Sequence, residues 1–94
     1  MLQMIMNSLD TDIFDLIFKC SSLGLPEKDS NDARSYLENN ERGLAFDTLL
    51  TQIYEYDILI DGDIYRQIEA IARELSINAE DYAFITKLIR PNTY

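Results

Sequence analysis

The sequence predicts an all-α fold, a single compact bundle of about five short helices, and three observations carry that prediction. Apolar residues recur at three- and four-residue spacing along nearly the whole chain, while the strict alternation of a half-buried strand is scarce. Helix start and stop signals punctuate the pattern at Leu23-Gly24, Pro26, Ser30, Asn39-Asn40 and Asn78. With 94 residues, 47% of them hydrophobic, the chain is the right size for one core and one domain.

The first helix is expected from about Asp10 to Ser22, with Leu9, Ile13, Leu16, Ile17 and Cys20 on one stripe. Gly24 suits the left-handed position that ends such a helix. Phe14 and Phe18 widen the stripe beyond half the circumference, which means either burial on two sides or an exposed patch for a partner. Pro26 opens the second segment, and Ser30 is expected to cap a short helix of about Asn31 to Asn39, with Ala33, Tyr36 and Leu37 on its thin core face. Asn39-Asn40 breaks it. The third helix runs from about Arg42 to Tyr56 on Phe46, Leu49, Leu50 and Ile53, with Gly43 in its first turn allowing close approach of a neighbour.

Asp57 to Asp63 interrupts the helical pattern. Ile58, Leu59 and Ile60 have strand-like composition but no evident partner strand, so the segment is expected to be an extended connector. Asp61 or Asp63 then caps a fourth helix reaching about Leu75, whose Ile64, Tyr65, Ile68, Ile71, Ala72 and Leu75 form the clearest amphipathic stripe in the chain, with Glu69–Arg73 paired outside. Asn78 caps the fifth helix, which buries Tyr82, Ile85 and Ile89 and is closed near Arg90 by Pro91. At the other end, Met4 and Met6 are alternative starts, so residues 1–8 are expected to form a frayed tail. The apolar MLQMIM is short and follows no basic residue, unlike a secretory signal. Asp10, Asp12 and Asp15 break the next hydrophobic stretch well before the roughly 18 apolar residues of a membrane span. The expectation is a soluble, cytoplasmic protein.

Composition narrows the chemistry. Eight Lys and Arg against 17 Asp and Glu give a net charge of −9, which disfavours direct binding to nucleic acid or to an anionic membrane surface. Histidine is absent, removing the commonest general base near neutral pH and the commonest zinc ligand. The single Cys20 has no disulfide partner and lies on an apolar stripe, as a buried, inert thiol would. A calcium loop starting at Asp57 places Gly62 correctly, but Leu59 and Ile68 fall where oxygen ligands are required, so helix capping accounts for the same acids. Carboxylate pairs such as Asp10/Asp12 and Asp61/Asp63 are inevitable among so many acids and point to no acid–base chemistry. The three glycines, Gly24, Gly43 and Gly62, are too far apart for a phosphate loop. The sequence therefore argues against an enzyme and implies no cofactor or metal.

What stands out is the stretch Ile53-Tyr54-Glu55-Tyr56-Asp57-Ile58-Leu59-Ile60-Asp61-Gly62-Asp63, with four acids, two tyrosines and no base. Tyrosine offers a large contact area at low entropic cost, and acids around it suit a basic partner. The competing explanation is a solvated turn whose tyrosines pack at a helix end. The candidate partner interface is Tyr54, Glu55, Tyr56, Asp57, Asp61 and Asp63.

Asn40-Glu41-Arg42-Gly43-Leu44-Ala45-Phe46-Asp47-Thr48-Leu49, followed by Gln52-Ile53-Tyr54-Glu55-Tyr56-Asp57, resembles the MafI-type immunity proteins, small helical bacterial proteins encoded beside polymorphic toxins, including some of contact-dependent growth inhibition systems. A leucine-rich first helix ending near Gly24-Leu25-Pro26 and Asp81-Tyr82 opening the last helix extend the likeness over roughly Leu9 to Ile89. The resemblance implies a cytoplasmic protein that binds a cognate toxin domain, basic and often a ribonuclease, and blocks it stoichiometrically by covering its active site or substrate groove. The rival readings are an acidic helical adaptor with no toxin partner, and an acidic nucleic-acid mimic acting on a DNA-binding protein.

Overall fold

A computed structural model describes residues 8–90. They fold as a small all-α domain of four α-helices, α1 (Ser8–Ser22), α2 (Glu27–Glu38), α3 (Arg42–Glu55) and α4 (Gly62–Glu74), followed by two 3₁₀ segments, Ala79–Asp81 and Ala83–Leu88. The frayed tail expected for residues 1–8 lies outside the described residues except at Ser8, which already belongs to α1. Pro91, expected to close the last helix, also lies outside them.

Helix α1 is central and touches α2, α3 and α4. Its Ile13, Leu16, Ile17 and Cys20 are fully buried, as the stripe predicts. Around them pack Ala33 and Leu37 of α2, Ala45, Phe46, Leu49, Leu50 and Ile53 of α3, and Ile64, Ile68, Ile71 and Ala72 of α4. Asp10 and Arg42 join the first turns of α1 and α3 by a two-pronged ion pair, Nε to Oδ1 and Nη2 to Oδ2, the second at 3.0 Å. The same hydrogen bonding raises the Arg42 guanidinium further above its ordinary pKa.

All four α-helices end in one hydrogen-bonding pattern. The residue after the cap takes a left-handed backbone conformation, and the next amide reaches back across the last turn to the carbonyl five residues earlier: Leu25 to Cys20, Glu41 to Tyr36, Ile58 to Ile53 and Ile77 to Ala72, at 2.8–3.0 Å. Gly24 fills the left-handed position after α1, but Asn40, Asp57 and Ser76 fill it after the other three. Cys20 with Leu25, and Ile53 with Ile58, are buried in the same core, the apolar pairing that accompanies this motif. A side chain in that conformation costs about 1–2 kcal/mol, offset in part by the greater unfolded-state freedom of glycine. Ser76→Gly, at an exposed position, is therefore expected to stabilise the domain by about 0.5–1 kcal/mol and to raise its Tm by roughly 2–6 °C in a thermal melt. An unchanged or lower Tm would show that the serine conformation carries no strain.

Several boundaries depart from expectation. Helix α2 starts at Glu27, with Pro26 in the capping position, so Ser30 caps nothing. Proline presets the backbone angle for a helix start, and Glu27 and Asp29 complement the helix dipole in the first turn. Ser30 is instead fully buried, with its hydroxyl 3.0 Å from that of Ser21 where α1 and α2 pack. Tyr36, expected in the core, is exposed. Gly43 has no neighbour within 4 Å of where a side chain would start, so it serves no close approach. Glu69 and Arg73 form no ion pair; Glu69 instead lies close enough to Tyr65 to raise that phenol's pKa, after the larger effect of burial.

The largest departure is the last helix. Asn78 makes no side-chain cap, and Ala79–Asp81 and Ala83–Leu88 wind as 3₁₀ turns. Tyr82, Ile85 and Leu88 are the buried residues, a spacing of three that matches one 3₁₀ turn per step. The Thr86 hydroxyl donates to the carbonyl of Ala83 at 2.7 Å, a bond suited to the tighter winding. Ile89, expected to be buried in the helix, leaves it extended and forms a single parallel bridge with Ile60. The Ile60 amide donates to the Leu88 carbonyl at 2.9 Å, and the Arg90 amide donates to the Ile60 carbonyl at 2.6 Å. The connector thus finds the partner that its strand-like composition asks for. Ile58 and Ile60 turn inward and Leu59 outward.

Candidate functional site

Tyr54, Glu55, Tyr56, Asp57, Asp61 and Asp63 are all exposed, and they fall into two groups separated by the connector. The first group sits at the end of α3. The ring of Tyr54 meets Phe84 edge-on, with centroids 5.2 Å apart and planes at 89°, so it packs on the second 3₁₀ segment while remaining partly accessible. Tyr56 is the cap residue and is 52% exposed. Asp57 occupies the left-handed position with φ 50°, which a short polar side chain tolerates better than most. Leu59, also exposed, adds an apolar contact that the sequence alone did not single out.

The second group sits at the start of α4. Asp61 is the cap: its Oδ1 accepts from the Ile64 amide at 2.8 Å. Asp63, within the first turn, takes the guanidinium of Arg66. Asp61, Asp63 and Ile64 at the start of α4 line an open groove of about 350 Å³ together with Phe18 and Leu23 at the end of α1. Lys19 and Ser22 complete its wall. Tyr54, Glu55, Tyr56 and Asp57 do not line this groove. The wide apolar arc of α1 gave a signal for Phe18, which is 67% exposed; nothing in the sequence places Leu23 or Ile64 beside it.

Charge is unevenly distributed around these groups. From Gly43 to Tyr65 the chain carries five acids and no Lys or Arg. On the neighbouring face, Lys19 is held by Asp15 at 2.9 Å and donates to Gln67 at 3.0 Å. The Gln67 amide in turn donates to the Asp12 carbonyl and to Asp15, each at 3.1 Å. Hydrogen bonds from Lys19 and then Gln67 hold the Asp15 carboxyl below its ordinary range. Cys20 is enclosed, and burial pushes its thiol up to about 12, so the thiolate needed of a nucleophile is scarce at neutral pH. Among the described residues no three His, Cys, Asp or Glu side chains are grouped to hold a metal ion, and no helix is long and apolar enough to cross a membrane. The arrangement is one of exposed aromatic and aliphatic side chains set among acids at helix ends, suited to contact with a cationic surface.

In comparisons with known proteins, the chain matches no family model, no curated protein and no solved structure.

Proposed function

We propose that this protein is a cytoplasmic immunity protein of the MafI type that neutralises a cognate toxin domain, a ribonuclease, by stoichiometric occlusion of its active site or substrate groove. The observation that carries the proposal is the cation-free run from Gly43 to Tyr65, which ends in exposed Tyr54, Tyr56 and Leu59 among Glu55, Asp57, Asp61 and Asp63. It overlaps the stretch whose sequence resembles that family, which runs from Asn40 to Asp57. A ribonuclease carries basic groups to hold RNA phosphates, and an acidic, aromatic-bearing surface on a preorganised helix end complements them. Inhibition needs no turnover, and neither catalytic residues nor a cofactor are assigned. The adaptor reading remains the alternative, since an acidic surface also keeps a small helical module soluble.

The test starts from the neighbouring genes: a basic toxin domain encoded immediately upstream is expected, and a one-to-one titration against it reads RNA cleavage and association rate at two salt concentrations. Wild-type protein is expected to abolish cleavage at equimolar ratio and to associate well above the ~10⁵–10⁶ M⁻¹s⁻¹ of uncharged pairs at low salt. Glu55→Lys combined with Asp57→Asn is expected to slow association by about tenfold and to flatten its salt dependence. Asparagine is chosen at position 57 because it keeps the left-handed turn while removing the charge. Full cleavage in the presence of excess wild-type protein would support the adaptor reading instead.

A further inference from the structure

We propose that the groove between the end of α1 and the start of α4 is a receptor for a single arginine side chain of a protein partner. Its lining is of two kinds: the exposed apolar side chains of Phe18 and Leu23 at the end of α1, and the acids Asp61 and Asp63 at the start of α4, around about 350 Å³ of open space. An arginine matches both at once, because its aliphatic stem and planar guanidinium lie along an aromatic face while the cation reaches the acids. An anionic ligand would meet two carboxylates, and a purely apolar one would strip them of water without compensation. The forked donors of arginine address paired carboxylate oxygens in a way that a lysine ammonium does not.

The local geometry favours this occupant in two further ways. Lys19, the one cation among the described residues of the groove wall, is engaged by Asp15 and Gln67. Asp63 already takes a guanidinium, that of Arg66, which lies over Gly62 with Nη1 3.7 Å from where a side chain there would start. That pair is 71% and 84% exposed on its two sides, so it is weak and exchangeable by an incoming arginine. The cap of α4 uses Asp61 Oδ1.

The experiment is a nuclear magnetic resonance titration of the full chain with N-acetyl-L-arginine amide, using the neutral, isosteric N-acetyl-L-citrulline amide as comparison. Saturable shifts are expected at Phe18, Leu23 and Ile64 with the arginine compound and not with the citrulline one. Asp61→Asn with Asp63→Asn is expected to weaken binding by about fivefold or more, and asparagine preserves the helix cap. Phe18→Ala, at an exposed site, is expected to do the same. Arg66→Gln is expected to tighten binding by about twofold by removing the resident competitor. Linear shifts spread over the whole acidic surface, equal shifts with citrulline, or indifference to the paired asparagines would each overturn the proposal. The proposal shares Asp61 and Asp63 with the immunity reading, but the titration needs no toxin. Groove binding without toxin capture would sink only that reading, and capture without saturable shifts at the groove would sink only the arginine receptor.

Discussion

Replacing Phe46 by alanine is expected to remove about 3–5 kcal/mol of stability, through lost transfer energy and the cavity left behind. Phe46 is 1% exposed and is the largest fully buried side chain, set in α3 where that helix packs against α1 and α2. A domain of this size is stabilised by only about 5–15 kcal/mol in total, so the variant should unfold at a much lower denaturant concentration and lose well over 10 °C of Tm. Phe18→Ala removes the same atoms from an exposed site and is expected to stay within about 0.5 kcal/mol of wild type. Urea unfolding of the two variants side by side checks the packing: equal losses would mean that α1 and α3 do not meet as described. Phe46→Leu, which keeps most of the volume, should cost less than about 1.5 kcal/mol.

Stability should also fall in alkali, and Cys20 contributes to that fall. Its ordinary pKa of 9.0 is pushed up to about 12 by burial, with Lys19 opposing weakly. Below pH 9 the thiol is protonated in both states and its full contribution is present. Above that, the unfolded chain releases the proton while the native chain holds it, so stability drops by about 1.4 kcal/mol per pH unit until the native pKa is reached, some 4 kcal/mol in all. Tyr65, whose pKa is raised first by burial and then by Glu69 and Tyr82, acts in the same direction at the upper end of that window. Denaturant midpoints at pH 7, 9 and 10.5 measure the slope. Cys20→Ala starts lower, having lost the packed sulfur, but its curve should be distinctly flatter. Parallel curves for the two proteins would place the alkaline loss elsewhere.

Helices α1, α3 and α4 were legible in the sequence because each carries a stripe that is dense, amphipathic and bounded by strong signals. Ile13, Leu16 and Ile17, or Ile64, Ile68 and Ile71, leave little choice of face. Helix α2 was legible as an element but not in its start. Pro26 and Ser30 both look like opening residues, and what distinguishes them is tertiary: Ser30 lies against Ser21 of a neighbouring helix. The last segment misled for a different reason. Tyr82, Ile85, Leu88 and Ile89 fit an α-helical stripe if Ile89 is counted and a 3₁₀ stripe if Leu88 is, and local spacing does not choose between them. The Ile60 connector chooses, by drawing Ile89 out into a bridge.

The candidate site divides along the same line. That Tyr54, Tyr56 and the four acids would be accessible followed from their position at a helix end and a turn, since each such place leaves side chains at the surface. That Asp61 and Asp63 would line one groove with Phe18 and Leu23 did not follow, because the groove exists only where the end of one helix is carried beside the start of another by everything folded between them. The burial of Cys20 is legible because its neighbours on the stripe, Ile13, Leu16 and Ile17, decide it.

The bridge between Ile60 and Ile89 has a consequence for the order in which the molecule assembles. It closes a loop that contains all of α4 and both 3₁₀ segments, whereas α2 and α3 form a hairpin across the short turn at Asn39–Glu41. The entropy of closing a loop rises with its length and must be met before the contact returns anything, so the hairpin can organise early and the bridge only once α4 is seated. The amides of Ile60 and Arg90, which make that bridge, are accordingly the reporters for a late-forming unit: hydrogen exchange at those two positions follows the docking of the chain's last third, separately from the opening of the α2–α3 hairpin.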